Sequence, residues 1–180
     1  MTVRLRDYLD ADWQRLCELA GYPNARRSWR SAFTPRFGHI CLLRLAQVWH
    51  ARGFRRLAKM PSLVNYLVFA LEVPARLEIG GGLVIPHPQG VVLGAREIGR
   101  NALIFQQVTL GGRVADFEYV PDRRPRVGDG VTLSAGAKIL GPLTIGDGAV
   151  VGANAVVLED IPAGATAVGV PARVVGATRA

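Results

Sequence analysis

Histidine is the side chain that exchanges a proton near neutrality, and this 180-residue chain has three, His39, His50 and His87. A general base acting on a hydroxyl has to be held where a substrate can reach it. His39 and His50 fall in an N-terminal stretch of helical character, have no polar constellation around them, and read as structural. His87 stands between Pro86 and Pro88 in Leu83-Val-Ile-Pro-His-Pro-Gln-Gly90, an otherwise aliphatic segment, and is the candidate base. Arg123-Arg124 is a second candidate: two adjacent guanidiniums suit a carboxylate or phosphate, with a solvated loop as the plain alternative. Cys17 and Cys41 cannot build a disulfide framework and read as apolar residues of a reduced compartment.

The element that must position His87 is a repeat of period six. Aliphatic residues recur at Val73, Ile79, Ile85 and Val91, then after one extra residue at Ile98, Ile104 and Leu110. After an interruption they continue at Val127, Leu133, Ile139, Ile145, Val151 and Val157. Neither a helix nor an ordinary strand has that period. A parallel β-solenoid does, with one short strand and one turn per hexad and three hexads per triangular coil. Glycine often follows the aliphatic residue, as in Ile79-Gly80, Ile98-Gly99 and Ile145-Gly146, which suits a corner where a side chain would crowd the turn or where φ is positive. The pattern does not fix the hand of the coil.

The segment Ile79-Gly-Gly-Gly-Leu-Val-Ile-Pro-His-Pro-Gln-Gly-Val-Val-Leu-Gly94 resembles the active-site stretch of the serine acetyltransferases, in the hexapeptide-repeat acyltransferase superfamily. Val108-Thr-Leu-Gly-Gly112, Asp122-Arg-Arg-Pro125, Ala135-Gly-Ala-Lys-Ile-Leu-Gly-Pro142 and Gly169-Val-Pro-Ala-Arg173 continue the likeness in order. The resemblance implies a left-handed parallel β-helix over 72–180 with a loop at 111–126, preceded by a short α-helical region over 1–71. It also implies a homotrimer, acetyl-CoA as donor, a hydroxyl as acceptor and no metal. His87 matches the family's catalytic histidine. Glu72 stands fifteen residues earlier, where the family has the Asp that holds the histidine's second nitrogen. Gly112, Ala135, Gly136 and Ala137 match turns that bind the pantetheine arm between neighbouring solenoids, with Lys138 and Arg173 near the CoA phosphates. Arg123 and Arg124 replace the Arg-His pair that receives the serine carboxylate.

Two departures bear on the acceptor. Pro86 replaces the Asp that helps hold the serine ammonium, and an ammonium with no partner in a water-poor pocket loses roughly several kcal/mol. The family's acidic serine-binding motif is not recognisable in the shorter helical region, which resembles that of polysaccharide-modifying relatives. The sequence therefore points to an O-acetyltransferase of a sugar or other anionic small molecule, with L-serine as the alternative acceptor and a non-catalytic trimeric scaffold as the second alternative. The tail lacks the terminal Ile by which many serine acetyltransferases dock into cysteine synthase, so no such complex is expected.

Composition narrows the classes. Residues 1–60 carry 12 Lys or Arg against 4 Asp or Glu, whereas 61–180 balance at 10 against 10, so the net charge of +8 belongs to the helical region. No nucleic-acid motif accompanies it, which leaves a solvated basic face or peripheral contact with an anionic membrane or substrate. With one solenoid histidine, a zinc β-helix needing three is not expected. No secretory signal and no run of about 20 apolar residues is present, so a soluble cytoplasmic protein is the expectation. Leu9, Trp13, Leu16 and Cys17 predict a first helix ended by Gly21-Tyr-Pro. Ile40, Leu43, Leu45, Ala46 and Trp49 predict a second over Arg36–Ala51, and a third is expected from Pro61-Ser62 through Leu71, after a break at Gly53 and a basic Phe54–Lys59.

Overall fold

The computed structural model describes residues 4–23, 25–114 and 118–177. Three helices, α1 (Leu5–Leu19), α2 (Gly38–Ala51) and α3 (Arg55–Phe69), precede a left-handed parallel β-helix, with a 3₁₀ turn at Trp29–Phe33 between the first two. The third helix begins six residues before the expected Pro61 and carries that proline inside it. A proline there removes one helical hydrogen bond and costs about 3 kcal/mol. Burial decides otherwise: Ala58, Pro61 and Asn65 form one buried row that crosses the proline. The outward face, with Leu57, Met60, Leu63, Val64, Leu67 and Val68, is apolar and exposed. Among the described residues no helix is long and apolar enough to cross a membrane.

The solenoid has three faces. On the first lie β1 (Leu71–Glu72), β3 (Val91–Leu93), β6 (Thr109–Gly111), β9 (Lys138–Leu140) and β12 (Val156–Val157). The second holds β2 (Glu78–Ile79), β4 (Glu97–Ile98), β7 (Arg126–Val127) and β10 (Thr144–Ile145). The third holds β5 (Leu103–Ile104), β8 (Thr132–Leu133), β11 (Val150–Val151) and β13 (Ala165–Gly169), closed by an antiparallel β14 (Ala172–Ala177). Three inner stacks follow from the register: Leu93-Leu110-Ile139-Val157, Ile79-Ile98-Val127-Ile145 and Ile104-Leu133-Val151-Ala167. All are buried, and each large aliphatic member is worth ~1.5–3 kcal/mol. The glycines after the inner residues serve crowding rather than positive φ: a Cβ on Gly80 would meet the Arg100 backbone at 2.6 Å.

The register corrects the hexad phase at one point. Leu71 pairs with Val91 and Glu72 with Val92, so the partner stacked above Val73 is Leu93, not Val91. Both Val91 and Leu93 are fully buried, because residues two apart on a strand share a face, and period six alone cannot choose between them. The additional residues therefore lie before β3, in the corner that carries His87, rather than after Val91.

A buried ion pair docks the helices on the first coil. Asp12 of α1 and Arg44 of α2 are both 0% exposed, with Arg44 Nε donating to Asp12 Oδ2 at 2.8 Å and Nη2 to Oδ1 at 3.0 Å. Arg44 also donates to Gln47 Oε1 (3.0 Å), Ile79 O (2.7 Å) and Gly80 O (2.6 Å), and Asp12 Oδ1 accepts from Gly82 N and Leu83 N at 2.8 Å each. All five guanidinium N–H groups are thus used, which offsets the desolvation that makes buried pairs costly. The network holds Ile79–Leu83, the segment leading to His87.

Candidate active site

His87 occupies the corner that feeds β3 and is exposed, between half-buried Pro86 and buried Pro88. The flanking prolines fix φ on either side and hold the imidazole outward. Among the described residues His87 has no hydrogen-bond or ion-pair partner, so both ring nitrogens are open to a substrate. Glu72 is also exposed and unpartnered, at the end of β1 one coil below Val92. No hydrogen bond joins it to His87.

His39 lies deeper, fully buried, its ring centroid 5.6 Å from that of Phe69. Burial lowers its pKa to about 4, against smaller opposing contributions from the Ile85 and Pro35 backbone, so the ring is neutral near pH 7. A neutral imidazole in the α2 wall is compatible with the apolar Ile85 that precedes the His87 corner.

The two arginines are split by the structure. Arg124 is half-buried, donates from Nη1 to Gly94 O at 3.0 Å and lies over the Tyr119 ring at 3.6 Å. Tyr119 Oη donates to Ala95 O at 2.6 Å, and Asp122 pairs with Arg96. Arg124 thus fastens the excursion between β6 and β7 to the solenoid, and Arg123 remains exposed. Part of this loop, 115–117, lies outside the described residues, as do 178–180, where the docking tail would be sought.

The residues that the resemblance matched to CoA binding do not all fall together. Ala135 and Gly136 form the corner before β9, and Gly136 (φ +75°) has no room for a side chain, since a Cβ would sit 2.0 Å from Asn154 Oδ1. Lys138 reaches the neighbouring corner, its Nζ donating to Gln107 O. Gln107 N in turn donates to Gln89 O at 3.0 Å, so this edge continues to the His87 turn. Ala137 is 0% exposed, with its N–H given to Ser134 O and its carbonyl accepting from Thr109 N. It faces the core, because the position before β9 points inward. Gly112 lies at the opposite border, after β6, and Arg173 on β14 pairs with Glu159 at 3.9 Å. The structure brings His87, Ala135, Gly136 and Lys138 to one edge and sets Gly112 apart from it; Arg173 pairs with Val168 beside the next corner of that edge, and its guanidinium turns to Glu159.

Residues 124–159 match the family model for the bacterial transferase hexapeptide (six repeats). The serine acetyltransferase of Helicobacter pylori strain J99 is 38% identical over 155 residues, covering 85% of this chain and 89% of that protein. The chain belongs to the serine acetyltransferase family. It is an acyltransferase that takes its acetyl group from acetyl-CoA. The Bacillus subtilis serine acetyltransferase is 40% identical over 133 residues, 73% of this chain and 60% of its own length. Among solved structures, a serine acetyltransferase in complex with CoA superimposes with TM-score 0.80 at 31% identity, over 95% of this chain and 69% of that one. Soybean serine acetyltransferase complexed with serine gives 0.82 at 37%, over 95% and 69%.

Asp12 and Arg44 were not singled out from the sequence. The available signal was a charge placed within each apolar helical row, Asp12 beside Leu9 and Trp13, and Arg44 beside Ile40 and Leu43. Among the described residues no group of three or more His, Cys, Asp or Glu is placed to hold a metal ion.

Proposed function

We propose that this chain acetylates the hydroxyl of L-serine, with His87 as general base. The observation that carries the reading is an exposed, unpartnered imidazole on an expanded solenoid corner, in a chain aligned over 85% of its length with a serine acetyltransferase. His87 takes the hydroxyl proton as the oxygen attacks the thioester carbonyl. The tetrahedral intermediate then collapses, the C–S bond breaks, and the CoA thiolate leaves with the proton from the imidazolium. Glu72 orients and stabilises that imidazolium once both substrates close the site.

In this reading the pantetheine arm follows the edge made by Ala135, Gly136 and Lys138, with Arg173 further along the coil axis and Gly112 at the far border, and the groove is completed by a second copy in a homotrimer. The exposed apolar face of α3 supports assembly, and light scattering at micromolar concentration tests it.

A second reading, a sugar or other anionic acceptor, is favoured by one particular: Pro86 offers no carboxylate to an ammonium. Thiol release from acetyl-CoA decides between them, with L-serine set beside sugars, sugar nucleotides and uronic or sialic acids, and with His87→Ala as control. Turnover of L-serine at an ordinary enzymatic rate, lost in the control, supports the proposal. Turnover of an anionic sugar alone overturns it in favour of the second reading.

A further inference from the structure

We infer that the space between α3 and the first solenoid coil is a binding site for a multiply charged anion of the phosphate class, bordering the proposed acetyl-transfer site at Glu72 but built from cations that reaction does not use. A cavity of about 730 Å³ lies there. Along α3, Arg55, Lys59, Ser62 and Tyr66 line it at spacings of four, three and four, which is a single row on the helix surface. His50 at the end of α2 and Arg76 on the turn after β1 line the opposite side. The Arg76 guanidinium lies over the Tyr119 ring, its central carbon 4.1 Å from the ring centroid.

The arrangement is unbalanced in charge. Arg44, Arg96 and Arg100 each hold a carboxylate, but among the described residues Arg55, Lys59 and Arg76 hold none. Glu72 lines the same cavity and makes no ion pair with any of them, so the cations surround space rather than an internal counterion. Gathering three like charges around a concavity is unfavourable until an anion enters, and the resulting field draws one in. The guanidinium and ammonium groups and the Tyr66 hydroxyl supply the donors, Ser62 Oγ being given to Ala58 O at 3.2 Å, and Glu72 alone is a pure acceptor. An oxyanion with several oxygens satisfies such a lining, seated toward Arg55, Lys59 and Arg76 and away from Glu72. The volume admits a diphosphate or a phosphorylated small molecule.

Calorimetric titration with inorganic pyrophosphate tests the inference, on wild type, on Arg55→Gln/Lys59→Gln and on Arg36→Gln as a charge control elsewhere. The wild type is expected to bind saturably, more weakly at higher salt, with at least tenfold loss in the double variant and no loss in the control. Both changes in the double variant are at exposed positions, and its thermal melt is expected to match the wild type. Sedimentation with phosphatidylglycerol vesicles distinguishes the source. Binding that pyrophosphate displaces assigns a lipid headgroup, whereas pyrophosphate binding without vesicle binding assigns a soluble phosphate. Absence of saturable pyrophosphate binding, or equal affinity in the folded double variant, overturns the inference. His87→Ala is expected to retain pyrophosphate binding, so failure of the acetyl-transfer reading leaves this result separately legible.

Discussion

Replacing Asp12 by alanine removes the one carboxylate that, among the described residues, pairs with Arg44, and the acceptor for Gly82 N and Leu83 N. Breaking a fully buried pair on one side costs ~3–5 kcal/mol, because the remaining charge stays desolvated. Against a total stability of ~5–15 kcal/mol that is a large fraction. In a chain of this size ~1 kcal/mol moves Tm by about 2–4 °C, so a fall on the order of 10 °C or more is expected. The informative comparison is the double variant Asp12→Leu/Arg44→Met. In an ordinary buried pair, apolar replacement of both partners restores most of the stability. Here Gly82 N, Leu83 N, Ile79 O and Gly80 O would all lose partners supplied by the pair, at ~1–3 kcal/mol for each group left unsatisfied. The double variant is therefore expected to remain several kcal/mol below wild type. Urea unfolding at a fixed protein concentration measures both. A double variant as stable as wild type, or an Asp12→Ala loss under ~1 kcal/mol, would refute the claim that the pair organises the Ile79–Leu83 backbone.

Three further outcomes follow from particular residues. His39 has a folded pKa near 4 against about 6.5 unfolded, so the unfolded state binds the extra proton, and ~3 kcal/mol present above pH 6.5 is lost as pH falls towards 4; His39→Leu should flatten that part of the stability profile relative to wild type. Ala70 caps α3 in the left-handed region at φ 50°, where an L-residue costs ~1–2 kcal/mol, and glycine's greater unfolded-state entropy offsets ~0.5–1 kcal/mol of it, so Ala70→Gly should raise Tm by roughly 2–4 °C in a melting scan. Arg123→Ala should raise the acceptor KM with little change in Tm. Arg124→Ala, by freeing the Tyr119 loop from Gly94, should lower loop protection in hydrogen exchange as well; equal behaviour of the two variants would contradict the split roles.

The inner stacks were legible because solenoid stacking repeats a local pattern: Ile98, Ile104 and Leu110 each present the same side chain to the same interior, and six-residue spacing is visible without knowing any contact. The strand pairs Ile79–Ile98 and Ile145–Val127 follow directly from it. The likeness around Leu83–Gly90 and Asp122–Pro125 carried the family and acetyl-CoA for the same reason, since these motifs are contiguous. Where two local solutions were equally apolar, only packing chose. Val91 and Leu93 both fit the interior, and the pairing of Leu71 with Val91 moved the expansion to the His87 corner. Helix α3 runs through Pro61 because Ala58 and Asn65 are buried on either side of it.

Contacts across long stretches of chain were not readable in advance. Asp12 meets Arg44 across 32 residues and Gly82 across 70, and neither charge announces its partner. Adjacent arginines look alike as sequence, yet Tyr119 and Gly94 claim Arg124 and leave Arg123 exposed. Ala137, grouped with Ala135 and Gly136 by motif, turned inward because side chains alternate across a strand boundary. Sequence by itself determined the repeat, the three-faced coil and the chemistry of its motifs, all of which are short-range and periodic. Tertiary structure alone decided which polar groups are spent on one another and which stay open to a substrate, because that depends on burial and on partners far along the chain.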